Sequence, residues 1–185
     1  MTTAYDTPVV LAVAPNGARR GKADHAALPL TPAELAQAAA DAVAAGASMI
    51  HLHVRDTDGR HSLDPELYRV AVAAVEDALG DRLVIQVTSE AAGIYDAPAQ
   101  IAAMRTLKPR FCSLGLREFL PEGAGRAAEA DLARLLNDLA AAGGRWQWIL
   151  YDAQEVERLA RLRDRGILPV AGGLEGGAAP VLYVL

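Results

Sequence analysis

Short apolar segments alternate with longer, alanine-rich amphipathic segments along the chain. Six of the apolar runs have the length and the Val, Ile and Leu content of buried strands; they cover residues 8–14, 49–54, 82–88, 110–114, 146–151 and 180–185. The segments between them repeat apolar residues with the period of a helix. This regular order of strand and helix predicts parallel strands joined by right-handed helical crossovers.

Most of the predicted helices begin at a residue that favours the N-cap position. The clearest signal is the capping box of Thr31 and Glu34, with Pro32 at the first helical position. Asp64, Asp96 and Asp152 are the other N-cap candidates. The predicted helices cover residues 32–45, 65–79, 97–108, 129–142 and 153–166.

Alternating units of this kind build either a (β/α) barrel or a doubly wound sheet. A doubly wound nucleotide-binding fold carries a glycine-rich turn after its first strand, and residues 14–19 lack that pattern. We therefore predict an α/β fold of the (β/α)8 TIM-barrel type, forming one domain over residues 1–185. A closed barrel has eight strands in about 250 residues, so the six strands predict a barrel truncated after about six βα units.

Composition narrows the class of protein further. The net charge is −5, and the basic residues are scattered along the chain, so no nucleic-acid partner is predicted. No apolar run reaches membrane-spanning length, and the single cysteine, Cys112, cannot form an internal disulfide. These features predict a cytoplasmic protein with no membrane partner.

The strongest chemical signal is the pair His51 and His53 at the end of the second predicted strand. Side chains alternate along a strand, so both imidazoles are predicted to lie on one face. Apolar neighbours mark this strand as buried, and buried imidazoles need either hydrogen-bond partners or a metal. Because zinc favours nitrogen ligands, we predict a metal site here. His25 and His61 fall in predicted loops and are interpreted as solvated or loop-packing residues.

Further polar residues fall at the same end of the predicted sheet, where barrels of this type carry their catalytic groups. Arg55 follows the histidines and is predicted to orient a carboxylate near the metal. Thr88 and Ser89 end the third predicted strand, and Ser113 lies on the fourth. Their hydroxyls can donate hydrogen bonds to substrate oxygens, although such groups often bond only to nearby backbone.

Several short motifs occur along the chain in a fixed order and spacing. Together they identify a protein family more specifically than the two histidines alone. They are Asn16-Gly17-Ala18-Arg19, residues 25–34, Gly46-Ala47, residues 51–56, Gly59-Arg60, residues 62–68 and Val87-Thr88-Ser89. In these motifs the chain resembles the beta-keto acid cleavage enzymes, the family that includes 3-keto-5-aminohexanoate cleavage enzyme. Spacing and order agree across the first half, and the later strands agree more loosely.

The resemblance implies a zinc-dependent (β/α)8 barrel that reacts a beta-keto acid with acetyl-CoA. The products are acetoacetate and a new acyl-CoA, formed by retro-Claisen cleavage of a carbon–carbon bond. By resemblance, His51 and His53 bind the zinc, while the third ligand, a Glu, and a catalytic Asp belong to the eighth strand, beyond residue 185. The family also implies a homo-oligomer, specifically a tetramer.

Arg19 marks a departure from the best-known family member, which has a Glu at this position that binds the substrate's amino group. A guanidinium favours an anionic or neutral polar substrate tail and disfavours an ammonium. We therefore predict that Arg19, together with Asn16 and Ser113, binds a substrate that lacks a distal amine.

Two alternatives remain open at this point. A metal-dependent amidohydrolase-type barrel also uses a His-x-His pair, usually on its first strand, and it would cleave an amide or lactone without CoA. The other alternative is a non-catalytic barrel fragment, because an open barrel exposes two parallel edges and would associate with copies or partners.

Overall fold

The structure is a computed structural model that describes residues 9–169 and 180–184. The first half contains β1 (Ala12–Val13), α1 (Pro32–Ala44), β2 (Met49–Leu52), β3 (Val54–Arg55), β4 (His61–Ser62), α2 (Pro65–Leu79) and β5 (Val84–Thr88). The second half contains α3 (Ala97–Leu107), β6 (Phe111–Gly115), α4 (Leu116–Phe119), α5 (Arg126–Ala141), β7 (Arg145–Leu150), α6 (Ala153–Asp164) and β8 (Val181–Tyr183).

The main sheet contains six parallel strands in the order β1-β2-β5-β6-β7-β8. Each strand therefore lies beside the next main-sheet strand along the chain, and at least one helix lies between them in sequence. The sheet curls into a half-barrel, which confirms the predicted α/β fold of TIM-barrel type. All carboxyl ends of these strands lie at one edge, where the candidate site is found.

The parallel register gives the sheet one polar and one apolar face. It aligns His51 with Gln86 and Thr88 with Ser113. Residues at the alternate positions of these strands belong to the apolar core, which they share with the helices; they include Leu52, Val87, Cys112, Leu114, Trp146 and Trp148. The polar residues thus line the inner face of the half-barrel, and the apolar residues pack under the helices.

The helices cover the apolar face because their buried residues recur at helical spacing. In α2 these residues are Tyr68, Ala71, Val75 and Leu79, and in α5 they are Leu132, Leu135, Leu136 and Leu139. The four predicted N-caps are confirmed, since each side chain accepts a hydrogen bond from the first turn of its helix. Helix α5 begins earlier than predicted, after Gly125, which provides no side-chain cap.

The second predicted strand, residues 49–54, ends at Leu52. The chain then turns back at residues 56–60, because Asp56 Oδ1 accepts the N–H groups of Asp58 and Arg60 at 2.9 and 2.8 Å. This turn pairs β3 with β4 as an antiparallel hairpin that the apolar pattern does not predict. Arg55 consequently belongs to the hairpin and does not extend the strand that carries His51.

The two outer strands differ from the prediction in length and exposure. Only Ala12–Val13 of the predicted strand 8–14 pairs with β2, and Val181–Tyr183 is paired within the predicted strand 180–185; residues 8 and 185 lie outside the described part. Residues 9–11 and 181–184 carry apolar side chains that are between 41 and 79% exposed. No helix in residues 9–169 and 180–184 is long and apolar enough to cross a membrane.

Gly144, between α5 and β7, packs directly against backbone. A Cβ at this position would lie 2.8 Å from the carbonyl oxygen of Pro109 and 3.0 Å from that of Leu139. Because neither carbonyl can move without shifting an element, we expect Gly144→Ala to lower the free energy of unfolding by about 1–3 kcal/mol. Urea denaturation measures the change. Gly21→Ala, at a site with open space, serves as the control, and equal effects of both substitutions would contradict the prediction.

Candidate active site

The two predicted metal-binding histidines lie together at the carboxyl end of β2. Their ring centroids are 5.0 Å apart, in an edge-to-face arrangement. His51 is on the strand itself, and His53 follows its last residue. The structure therefore brings the pair together as the alternation of side chains predicts.

His51 is oriented by polar residues on the neighbouring inner strands. Its Nδ1 lies 2.7 Å from Gln86 Oε1, and Gln86 Nε2 donates to Gln147 Oε1 at 3.0 Å. An amide oxygen only accepts hydrogen bonds, so His51 Nδ1 carries the proton and Nε2 keeps its lone pair. Burial also lowers the pKa of His51 below its usual range, which keeps the ring neutral.

His53 is buried more completely, and its surroundings disfavour a positive charge. Burial, followed by the charges of His51, His61 and Arg55, lowers the pKa of His53 to about 2. Its Nδ1 atom is buried and has no hydrogen-bond partner among the described residues. A buried nitrogen without a hydrogen-bond partner destabilises the fold unless another group bonds to it.

The two rings fit the nitrogen ligands of a zinc ion. Both are neutral, His51 has a hydrogen-bonded outer partner in Gln86, and His53 has an unsatisfied ring nitrogen. Among the described residues, no three His, Cys, Asp or Glu side chains converge closely enough to hold a metal ion. The structure thus provides two suitable ligands and leaves the complete ligand set open.

Asn16 and Arg55 both connect the loop after β1 with the histidine strand. The Asn16 amide donates to the His53 carbonyl at 3.0 Å and accepts the His53 N–H at 3.4 Å. The Arg55 guanidinium donates to the carbonyls of Asn16, Gly17 and Val54. Both side chains therefore hold the backbone around His53, and in this structure Arg55 contacts carbonyl groups where the sequence predicts a carboxylate.

The three predicted hydroxyl groups form a continuous set of hydrogen bonds across β5 and β6. Ser89 Oγ donates to the Ser113 carbonyl at 2.9 Å, and Ser113 Oγ lies 3.3 Å from Thr88 Oγ1. Thr88 Oγ1 also accepts the Glu90 N–H at 3.0 Å. These contacts fix the two strand ends beside the histidines, and a role of the hydroxyls in substrate binding stays a prediction.

Arg19 is exposed in the loop after β1. Its positive charge partly offsets the rise in the pKa of Glu118, on α4, that burial causes. Tyr151, which follows β7, is another neighbour of Glu118, and the guanidinium of Arg117 stacks on its ring at 4.3 Å from the centroid. The strand ends thus carry both acidic and basic groups. Arg19 is exposed, and its binding of an anionic or neutral polar substrate tail stays a prediction.

Gln86, His61 and Glu90 belong to the site and were not predicted. The loop interpretation of His61 is wrong, because His61 lies on β4, is 5% exposed, and has its ring centroid 5.5 Å from that of His53. Glu90 follows Ser89, and its Oε2 lies 3.8 Å from His53 Nε2. No sequence signal marks Glu90, since it stands outside both the strand and the helix patterns.

The chain matches the beta-keto acid cleavage enzyme family over residues 8–178. It is 34% identical over 112 residues to 3-keto-5-aminohexanoate cleavage enzyme of Fusobacterium nucleatum, covering 58% of this chain and 41% of that protein. It is 24% identical to 3,5-dioxohexanoate:acetyl-CoA acetone transferase of Paraburkholderia graminis, covering 86% of this chain and 59% of that protein.

A further relative is 3-oxoadipate:acetyl-CoA acetyltransferase of Cupriavidus necator, 32% identical over 108 residues, which cover 58% of this chain and 37% of the relative. The matched region thus spans between 37 and 59% of the length of these relatives. The family match includes both histidines, the strand ends that carry the hydroxyl groups, and the loop that carries Asn16 and Arg19. The chain belongs to the beta-keto acid cleavage enzyme family.

Proposed function

We propose that this chain provides the metal-binding part of a zinc-dependent enzyme that condenses a beta-keto acid with acetyl-CoA, giving acetoacetate and a new acyl-CoA. The observation that carries the proposal is the pair of neutral imidazoles at the carboxyl end of β2, of which His51 is half-buried and His53 is buried. Membership of the family and the acetyl-CoA-dependent relatives support the reaction class.

His51 and His53 would hold the zinc, which when bound acts as a Lewis acid for the keto and carboxylate oxygens of the substrate. Gln86 fixes the tautomer and ring orientation of His51, and Asn16 fixes the backbone of His53. Thr88 would donate a hydrogen bond to a substrate oxygen, since its hydroxyl accepts from the Glu90 N–H and keeps its own proton. Ser89 would do so only by giving up its hydrogen bond to the Ser113 carbonyl. Arg55 supports the site by holding the loop after β1.

The test combines metal analysis with product analysis. The chain, completed by the remaining βα units of the family including the eighth strand, is loaded with Zn²⁺ and incubated with acetyl-CoA and a beta-keto acid, and acetoacetate is measured before and after chelation. We expect about one zinc per chain and acetoacetate only when metal and both substrates are present. Hydrolysis of an amide or lactone without acetyl-CoA would favour the amidohydrolase alternative, and an inactive protein that binds no zinc would favour the non-catalytic fragment.

We also propose that the protein is cytoplasmic, as its composition predicts, and a homo-oligomer, as the family resemblance implies. The exposed apolar residues on both outer strands support association, because open sheet edges readily pair with other chains. Size-exclusion chromatography with light scattering tests this proposal, and a stable monomer at micromolar concentration would contradict it.

The exposed guanidinium of Arg19 leads to a prediction about the substrate tail. We expect a beta-keto acid with a distal carboxylate, such as 3-oxoadipate, to have a higher kcat/KM than one with a distal amine. A hydrogen bond to a charged group contributes about 1.5–3 kcal/mol, so Arg19→Glu should change this preference by roughly 10- to 100-fold towards the amine. Arg20→Glu, one residue further along the same loop, is the matched control. Equal shifts in both variants, or an amine preference of the unmodified chain, would contradict the role of Arg19.

A further inference from the structure

The backbone of Glu90 is fixed on both sides by side chains from other parts of the fold. Its N–H donates to Thr88 Oγ1 at 3.0 Å, and its carbonyl oxygen lies 2.7 Å from His61 Nε2. Because a carbonyl oxygen only accepts, the His61 ring donates this hydrogen bond. Both backbone polar groups of Glu90 are therefore bonded to side chains, one from β5 and one from β4.

The two peptide groups that flank Glu90 are held in the same way. Gln100 Nε2, fully buried on α3, donates to the Ser89 carbonyl at 2.6 Å and to Glu118 Oε2 at 2.8 Å. The Glu118 carboxylate, on α4, accepts the Ala91 N–H at 3.1 Å. Burial raises the pKa of Glu118, which shows that the fold keeps this carboxyl in an environment unfavourable to its charge.

Four side chains from four elements thus determine the position of one loop residue. Functional groups are typically held by supporting residues whose own positions are fixed. The Glu90 side chain lies beside His53, where its Oε2 is 3.8 Å from Nε2, and it is 28% exposed. At 3.8 Å these two atoms are beyond hydrogen-bond distance, so the carboxylate lies beside the His53 ring without a direct bond to it.

Arg55 does not balance the charge of Glu90 by direct contact. The hydrogen bonds of Arg55 go to backbone carbonyls, although its charge and that of Glu90 influence each other. A divalent cation at the imidazoles would place positive charge beside a carboxylate that is already positioned. Negative charge close to a metal centre raises its affinity for cations.

We propose that Glu90 is a positioning residue of the metal centre, held beside His53 so that its negative charge strengthens binding of a divalent cation by His51 and His53. This inference rests on the proposed function, in which His51 and His53 bind the cation. The proposed role requires no direct bond between Glu90 and the metal. The contacts of Gln100 and Glu118 keep the loop that carries Glu90 in place.

The test is titration of the metal-free chain with Co²⁺, whose visible absorption reports the coordination environment as well as the affinity. Glu90→Gln removes the charge at nearly constant shape, and Glu90→Asp keeps the charge on a shorter side chain. We expect Glu90→Gln to weaken Co²⁺ binding by about 10- to 100-fold, with a smaller loss for Glu90→Asp. Glu122→Gln, at an exposed loop position, is the control for a general change in charge.

The outcomes separate this inference from the proposal on which it rests. If His51→Ala abolishes Co²⁺ binding but Glu90→Gln leaves it unchanged, the role of Glu90 is overturned and the histidine site stands. Equal losses for the Gln and Asp variants would show that shape and not charge is responsible, which also overturns the inference. If the unmodified chain binds no Co²⁺, both proposals fail.

Discussion

Replacing either His51 or His53 by alanine is expected to remove high-affinity binding of Zn²⁺. Each ring is one of the two suitable nitrogen donors that the structure brings together, and a centre that loses a direct ligand loses more affinity than one that loses an outer partner. Loss of an outer partner already weakens binding by roughly 10- to 100-fold, so we expect more than 100-fold for each histidine. Isothermal titration calorimetry of the metal-free chain with Zn²⁺ measures the change.

His25→Ala provides the matched control, because His25 is an exposed histidine in the loop after β1. It removes the same ring from the chain and should leave the Zn²⁺ dissociation constant unchanged. A similar loss of affinity in all three variants would show that zinc binds unspecifically to histidines. Unchanged affinity in the His51 and His53 variants would contradict the assignment of the metal centre and, with it, the role of Glu90.

The polar inner face of the half-barrel could be predicted from the sequence in large part. His51 and His53 alternate with Leu52, and Gln86 alternates with apolar residues in its strand. Because parallel strands keep such alternation in register, polar residues from neighbouring strands meet on one face, as His51 and Gln86 do. The shared face of His51 and Gln86 therefore follows from two local patterns and one rule of topology, whereas the register that brings their side chains into hydrogen-bond distance is set in the folded sheet.

Other parts of the site depend on contacts that local patterns do not contain. Arg55 shows this, because its residue type suggests a carboxylate partner, whereas the β3–β4 hairpin directs it to carbonyls of the loop after β1. Glu90 depends on His61, Gln100 and Glu118, which are far apart in the chain. A side chain whose position is set by several distant elements becomes visible only once those elements are assembled.

The second large effect is a loss of stability, which we expect when packing on the apolar face of the sheet is disrupted. Trp148, on β7, is 1% exposed and is among the largest fully buried side chains of the described residues. It lies between Leu114 of β6 and Val181 of β8 in the parallel register, and its indole belongs to the apolar core under the helices. We therefore expect Trp148→Ala to lower the free energy of unfolding by about 3–5 kcal/mol, because it removes the buried indole and leaves a cavity.

Chemical denaturation followed by far-UV circular dichroism measures this loss in the metal-free chain, so that zinc binding does not add to the stability. Val156→Ala is the control, since Val156 on α6 is 40% exposed and its truncation should change the free energy by less than about 0.5 kcal/mol. Trp148→Phe should fall between the two, because the smaller ring retains part of the contact area. If Trp148→Ala were no more destabilising than Val156→Ala, β7 would not be packed against the helices as described, and the inner face that carries the metal centre would lack its rigid support.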